Sequence, residues 1–347
     1  MEIWLRYDLR RAPFAMSTRT LIGHALEQIA WADKNGFHTV QLSEHHGFED
    51  GYNPSPLILG AAVAALTKRI RINPPLILPL YDPVRLAEDC CILDNISGGR
   101  LDVTAVAGYT ASDFDMMGVS LKDRAPLQER ALDVLVAAFN GRPFSFEGRF
   151  GKVMPLPVQP GGPPLIIGGS IMATARRAAK YGAGYYPMDQ DPKFIEAYRQ
   201  ACADLGKPVG KILLYSPALF VHVAEDPDAD WARIAPHAMH EANAYYEAGK
   251  AAGEMNPFPK ADSADALRKT GSYLVLTPDQ CIDYCRTEAA AGRYVTIAPM
   301  TGGLPAELAW SSLQLFAAKV MPIIDVTPPP EPLVERSDTS ETSEEHR

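Results

Sequence analysis

The sequence predicts an α/β fold, a (β/α)8 barrel with insertions. Strand-like apolar runs alternate with helical stretches through most of the chain, glycine or proline marks most junctions, and 347 residues suit one such barrel. A helix after every strand makes neighbouring strands parallel, and eight such units favour a closed ring over an open sheet.

The elements follow in order. Residues 2–7 read as the first strand and 18–35 as an amphipathic helix stopped by Gly36. Residues 38–42 form the second strand, 56–67 an alanine-rich helix, and 70–78 the third strand. Pro83 opens the next helix at its first turn and Gly98-Gly99 ends it. Residues 101–107 are the fourth strand and 126–140 its helix. The fifth strand, 164–167, leads through Gly168-Gly169-Ser170 into a helix reaching residue 181. Residues 184–187, 212–223 and 293–299 complete the eight strands, with helices over 193–205 and 305–320.

Two insertions interrupt this pattern. Aromatic alternation around Glu147-Gly148 predicts a hairpin within residues 144–160. Residues 250–272 are rich in Gly, Pro, Asp and Ser and lie between strands seven and eight, where a long irregular segment suits a lid. The barrel thus spans residues 1–325. Residues 326–347 open with Thr327-Pro328-Pro329-Pro330, turn acidic, and read as a disordered tail.

A net charge of -9 argues against nucleic acid or an anionic membrane as partner. No run approaches the roughly 20 apolar residues of a membrane span. The first six residues mix charges with apolar groups, unlike a secretory signal, so a cytoplasmic protein is expected. Five cysteines lack metal-ligand spacing and read as reduced, buried thiols. His237 and His240, three apart on a helix without a third ligand, read as surface histidines, as does His222.

The chemistry-bearing residues gather at strand ends, where barrels build active sites. Glu44-His45-His46 follows strand two, placing imidazoles that titrate near neutrality beside a carboxylate. Pro74-Pro75 lies in strand three, Ala107-Gly108-Tyr109 ends strand four, and Gly168-Gly169-Ser170 ends strand five. Orphan N–H groups and a hydroxyl at that last turn, continued by Thr174, suit a phosphate; a plain tight turn would use the same glycines. Trp4, Tyr7 and Asp8 leave strand one toward the mouth.

These stretches resemble the bacterial luciferase-like family of flavin-dependent oxidoreductases. The likeness rests on residues 32–40, Ser43-Glu44-His45-His46, Ile77-Leu78-Pro79, residues 82–89, Ser97-Gly98-Gly99-Arg100-Leu101, residues 164–170 and Gly302-Gly303-Leu304-Pro305. It covers roughly residues 1–324. It implies a flavin at the carboxyl face, often in a homodimer, and either dioxygen activation with reduced FMN or hydride transfer with coenzyme F-420. The Glu-His-His form looks like the FMN monooxygenase branch, with His45 as acid/base at the flavin edge and Glu44 fixing a tautomer or lining the pocket.

The resemblance further implies a cis peptide behind the flavin ring at Pro74-Pro75, which an X-Pro bond adopts at a cost of about 0.5–1 kcal/mol. Tyr109 would stack on or bond the flavin. Where the family's FMN enzymes carry an arginine, this chain has Ala107; Arg124 is the expected substitute grip on the phosphate, and without one either weak flavin binding or a non-catalytic subunit is expected. No Gly-rich nicotinamide-binding unit is present, so reduced FMN is expected from a separate flavin reductase, with dioxygen and a small organic molecule as substrates.

Overall fold

The computed structural model describes residues 1–250 and 260–333. Its strands are β1 (Ile3–Tyr7), β2 (Thr39–Leu42), β3 (Arg71–Asn73), β4 (Pro75–Ile77), β5 (Val103–Val106), β6 (Phe144–Phe146), β7 (Arg149–Gly151), β8 (Leu165–Gly168), β9 (Gly184–Tyr186), β10 (Phe220–Val223), β11 (Tyr273–Leu276) and β12 (Val295–Ile297). The helices are α1 (Thr18–Lys34), α2 (Pro56–Leu66), α3 (Pro83–Ser97), α4 (Ala111–Met116), α5 (Arg124–Phe139), α6 (Met172–Tyr181), α7 (Pro192–Asp204), α8 (Pro227–Lys250), α9 (Ala264–Lys269), α10 (Pro278–Ala290) and α11 (Ala306–Leu315).

Two parallel sheets carry the fold, β12-β1-β2-β3 and β4-β5-β8-β9. Single parallel bridges continue the pairing between them: Ile72 to Leu101, Tyr185 to Ile212, and Tyr215 to Tyr294. Strand alternation sorts the side chains. On β1, Ile3, Leu5 and Tyr7 point into the apolar layer beneath the helices, and the Tyr7 hydroxyl donates to Gln28 there. Tyr7 therefore does not face the mouth. Trp4 points the other way, stacked on Tyr294 at 4.1 Å in an inner cluster with Ile166, Tyr186 and Leu213.

Two strands depart from expectation for local reasons. The third strand breaks into β3 and β4 at Pro74, which has no N–H to donate. The expected seventh strand, 212–223, is interrupted at Pro217: Ile212 and Tyr215 make single bridges, and beyond it β10 pairs in parallel with β11, a stretch to which the sequence reading assigned no element. In the expected lid, residues 251–259 lie outside the described residues, Lys250 ends α8, and α9 supplies regular structure. The start of the expected tail is held in place, with Thr327 N–H on the Met1 carbonyl and Leu333 N–H on that of Gly98. The hairpin is as expected, β6 and β7 turning through Glu147 and Gly148 at positive φ.

Buried polar groups lock the helices to the strands. Asp33 at the end of α1 accepts the N–H groups of Lys68, Arg69 and Ile70, fixing the chain entering β3. Arg100, 2% exposed, donates to the carbonyls of Ala64, Thr67, Ile70 and Ser97 and to the Thr67 hydroxyl, at 2.7–3.1 Å. A cation at the end of α2 also meets the negative pole of that helix. Arg100→Met keeps the volume but strands those acceptors without donors. We expect a loss of about 3–5 kcal/mol in urea unfolding; a loss under 1 kcal/mol contradicts this role.

Candidate active site

The chain leaving β2 turns sharply and presents three ionisable groups on consecutive residues. Glu44, fully buried at its side chain, accepts the Ile77 N–H at 2.6 Å and the Tyr81 hydroxyl, and bonds His46 Nε2 at 3.1 Å. It ties the loop after β2 to the end of β4. Burial alone would depress His46, but the Glu44 hydrogen bond and charge, with Asp113, hold its pKa above the usual value. Glu44 and His46 therefore form a buried hydrogen-bonded pair that anchors the loop beside the ring that matters most.

That ring is His45. Its Nδ1 lies 2.7 Å from Asp113 Oδ2, while Asp113 Oδ1 accepts the His46 N–H at 2.9 Å. A carboxylate at Nδ1 selects the tautomer with its proton there and leaves Nε2 as the working nitrogen. Nε2 lies 3.5 Å from the Tyr109 hydroxyl. Phe48, Tyr52 and Tyr109 surround the imidazole at centroid distances of 5.1, 4.8 and 5.5 Å. Asp113, fully buried on α4, was not singled out from the sequence. A lone aspartate 68 residues downstream carried no local signal.

The loop bearing Phe48 and Tyr52 is pinned from beneath. Arg10, fully buried, lies 2.9 Å from Asp50 and sits over the rings of Phe48, Tyr52 and Tyr245 at 5.1, 4.8 and 4.3 Å. The Tyr52 hydroxyl bonds that of Tyr245, which reaches Asp8. Beside them, Arg6 pairs with Glu241 of α8 at 2.8 Å. Burial and the nearby Asp8 outweigh the two arginines and push Glu241 up to about 7. His240 also faces Asp50, and His237 is buried with Nδ1 at the Gly302 carbonyl, so the expectation of surface histidines fails for His237. The inner face of α8 packs on the mouth and keeps that histidine. His222 is buried as well, against Asp230.

The remaining predicted residues ring the same end of the strands. Val106 pairs with Gly168, so Ala107 and Gly169 leave their strands side by side. Gly108 sits at φ 75°, where a Cβ would come within 2.7 Å of Ile77 and Phe114. Half-buried Arg124 donates to the Gly108 carbonyl at 3.4 Å, bringing a guanidinium beside Ala107. Gly169, at φ 143°, packs against buried Thr174. Ser170 Oγ accepts the Asp189 N–H; Ile171 at the start of α6 makes no side-chain cap, and while Thr174 N–H is on the Ile171 carbonyl, the N–H groups of Met172 and Ala173 have no partner within the helix.

Pro74-Pro75 is trans, against expectation; the cis peptide among the described residues is Met154-Pro155. The trans bond lets the strand resume at once, with the Pro74 carbonyl accepting Thr104 N–H and Pro75 in register with Thr104. The pair stands within the strand leading to Ile77 and Glu44, below the mouth.

A carboxylate–imidazole pair at the carboxyl ends of parallel strands is the kind of site an oxidoreductase builds for proton transfer. Residues 9–294 match the luciferase-like monooxygenase family, and the chain belongs to that family as a luciferase-like oxidoreductase. It is 26% identical over 319 residues to 4-hydroxyprotoasukamycin monooxygenase of Streptomyces nodosus, covering 86% of this chain and 85% of that one. Other curated relatives are matched over about half their length or less. One is the oxygenase component of the flavin-dependent trigonelline monooxygenase of Acinetobacter baylyi, 27% identical over 118 residues, which are 34% of this chain and 33% of that one.

Among solved structures, a monooxygenase from Streptomyces bottropensis shares the fold at a TM-score of 0.77, with 24% identity over 93% of this chain and 99% of that one. The FMN-bound oxygenating constituent of 3,6-diketocamphane monooxygenase of Pseudomonas putida follows at 0.68, with 17% identity over 94% and 99%.

The Glu241 carboxyl gives the site a measurable signature. Its folded pKa of about 7 exceeds the ordinary 4.5, so the folded protein holds a proton that the unfolded chain releases. Stability is fully present below about pH 4.5 and is lost as pH rises through about 7. Glu241→Gln should flatten this slope, with a wild-type-minus-variant change of about 3 kcal/mol between pH 4.5 and 8 in urea unfolding. Parallel pH profiles would place the carboxyl in a far more polar setting.

Proposed function

We propose that this protein is a flavin-dependent monooxygenase, using reduced FMN and dioxygen to oxygenate a small organic substrate, with His45 as acid/base. The carrying observation is the buried Asp113–His45 pair, whose free Nε2 faces the Tyr109 hydroxyl. Three supports frame it: family membership, the parallel strand order, and an interior packed by Trp4, Tyr186 and Tyr294. We read the bridges at Ile72, Tyr185 and Tyr215 as closing the eight strands into a barrel, with its reactive mouth at His45.

The residues present fit a flavin. The Met172 and Ala173 N–H groups at the start of α6, the Ser170 hydroxyl, buried Thr174 and the glycine cradle at Gly168-Gly169 suit the phosphate. Arg124 supplies the cation that Ala107 lacks, which speaks against a non-catalytic subunit. Tyr109 with the end of β4, after Pro74-Pro75, would flank the ring system. When bound, reduced FMN supplies the dioxygen chemistry. The chain does the rest: Asp113 orients the imidazole, Nε2 gives or takes a proton, and the Phe48, Tyr52 and Tyr109 rings exclude water. Glu44 acts indirectly, holding His46 and the loop.

Further assignments belong to this reading. The segment over 250–272 acts as a lid on the mouth. The reduced flavin comes from a separate reductase, in keeping with the oxygenase component among the relatives. Two copies pair through α2 and α3, whose outer faces expose Ile58, Leu66, Ile92 and Ile96. All five cysteines are free and buried, which suits the reducing cytoplasm.

Anaerobic titration with reduced FMN and, separately, reduced F-420, followed by air, tests the reading. We expect FMN to bind and to give an oxygen-dependent transient absorbance. Selective F-420 binding without that transient moves the assignment to hydride transfer, and binding of neither refutes flavin chemistry. His45→Asn should keep flavin affinity while slowing the proton-dependent step about 100-fold or more. An unchanged rate removes His45 from its role.

A further inference from the structure

Arg6 is a charged group with a buried donor, Nε, that the fold leaves without a partner. Residues of β1 alternate, and Trp4 points into the inner cluster, so Arg6 points inward one layer nearer the mouth. It pairs in register with Gln41 of β2, whose side chain reaches the Tyr186 hydroxyl. Arg6 Nη2 donates to Glu241, Nε has no partner, and 12% of the side chain is exposed. Tyr52, edge-on to His45 at 4.8 Å, also lies within the field of Arg6. Tyr52 in turn bonds Tyr245 of α8, one turn along from the Glu241 that holds Arg6.

The surroundings decide what those donors accept. Arg6 and Arg10 already face three carboxyls, Asp8, Asp50 and Glu241, together with the phenols of Tyr52, Tyr245 and Tyr273. A further carboxylate or phosphate would have to give up its hydration among these groups, with Arg6 and Arg10 already shared between the existing carboxyls. An uncharged oxygen accepts the hydrogen bond and adds no charge. Its carrier would be flat, because the walls toward His45 are the rings of Phe48, Tyr52 and Tyr109.

We propose that Arg6, with Gln41 and Tyr186 beside it, forms the subsite that receives a neutral ketone, quinone or phenol oxygen of a ring-bearing substrate. This rests on the mouth at His45 being the reaction site. The group sets specificity by position and transfers nothing.

Calorimetric titration of the full chain at pH 7 with acetophenone, benzoate and ethylbenzene tests this, because the three differ chiefly in their oxygen. We expect acetophenone to bind at least about tenfold tighter than the other two. Arg6→Met should erase that advantage and leave ethylbenzene unchanged, and Arg6→Lys should restore part of it. Arg6→Gln, which keeps a donor for Glu241, serves if the methionine variant does not fold. A preference for benzoate, an unaltered acetophenone affinity in the variants, or no binding of any probe overturns the subsite. Flavin titration reads the parent proposal independently: lost flavin binding with intact discrimination sinks the monooxygenase reading and leaves the subsite standing.

Discussion

The Asp113 carboxylate accepts from two neighbouring residues of another loop, the His45 ring and the His46 backbone N–H. Those two bonds join the chain after β5 to the chain after β2, and the geometry of the mouth follows from them. They set the direction of the imidazole, the nitrogen it offers, and the height at which Tyr109 meets it. Both carboxylate oxygens are in use and no surface of the residue is exposed. Burying a charge so completely is tolerable only because each oxygen has its partner.

The same device recurs around the mouth. Glu44 holds the end of β4, Asp33 fixes the start of β3, and Arg100 gathers the end of α2. Each joins one strand–helix unit to the next with charged hydrogen bonds, where an apolar contact would tolerate sliding. The Arg6–Glu241 pair differs, because its surroundings leave Arg6 Nε and Glu241 Oε2 without partners. Arg10 and Asp50 beside them also keep unpartnered buried atoms, so charged groups short of partners gather at this one place, where function has displaced packing.

Much of the fold was legible because its signals are local. Period-two runs, Pro83 at a helix start and Gly98 at a helix end each report within a few residues, and the capped helices lie where they were placed. The sequence reading missed what depends on partners far along the chain. Tyr273–Leu276 was assigned no element and becomes a strand only by pairing with β10, and Pro74-Pro75 looks available for a cis bond until the register with Thr104 is known. At the site, Glu44, His45 and His46 stood out by adjacency. Asp113 lies 68 residues from its histidine, and Glu241 lies 235 from Arg6. No motif spans such gaps; only the closing of strands on one another brings those side chains together.

The acid/base role of His45 depends on its tautomer. Two-dimensional ¹H–¹⁵N correlation of the imidazole side chains in labelled protein, at an alkaline pH where free imidazole is neutral, reads it directly. The bond to Asp113 predicts a His45 ring protonated at Nδ1 with an unprotonated Nε2, changing to mixed tautomers in Asp113→Asn. A wild-type ring protonated at Nε2 would contradict the account, because the nitrogen facing Tyr109 would then have no lone pair to accept a proton.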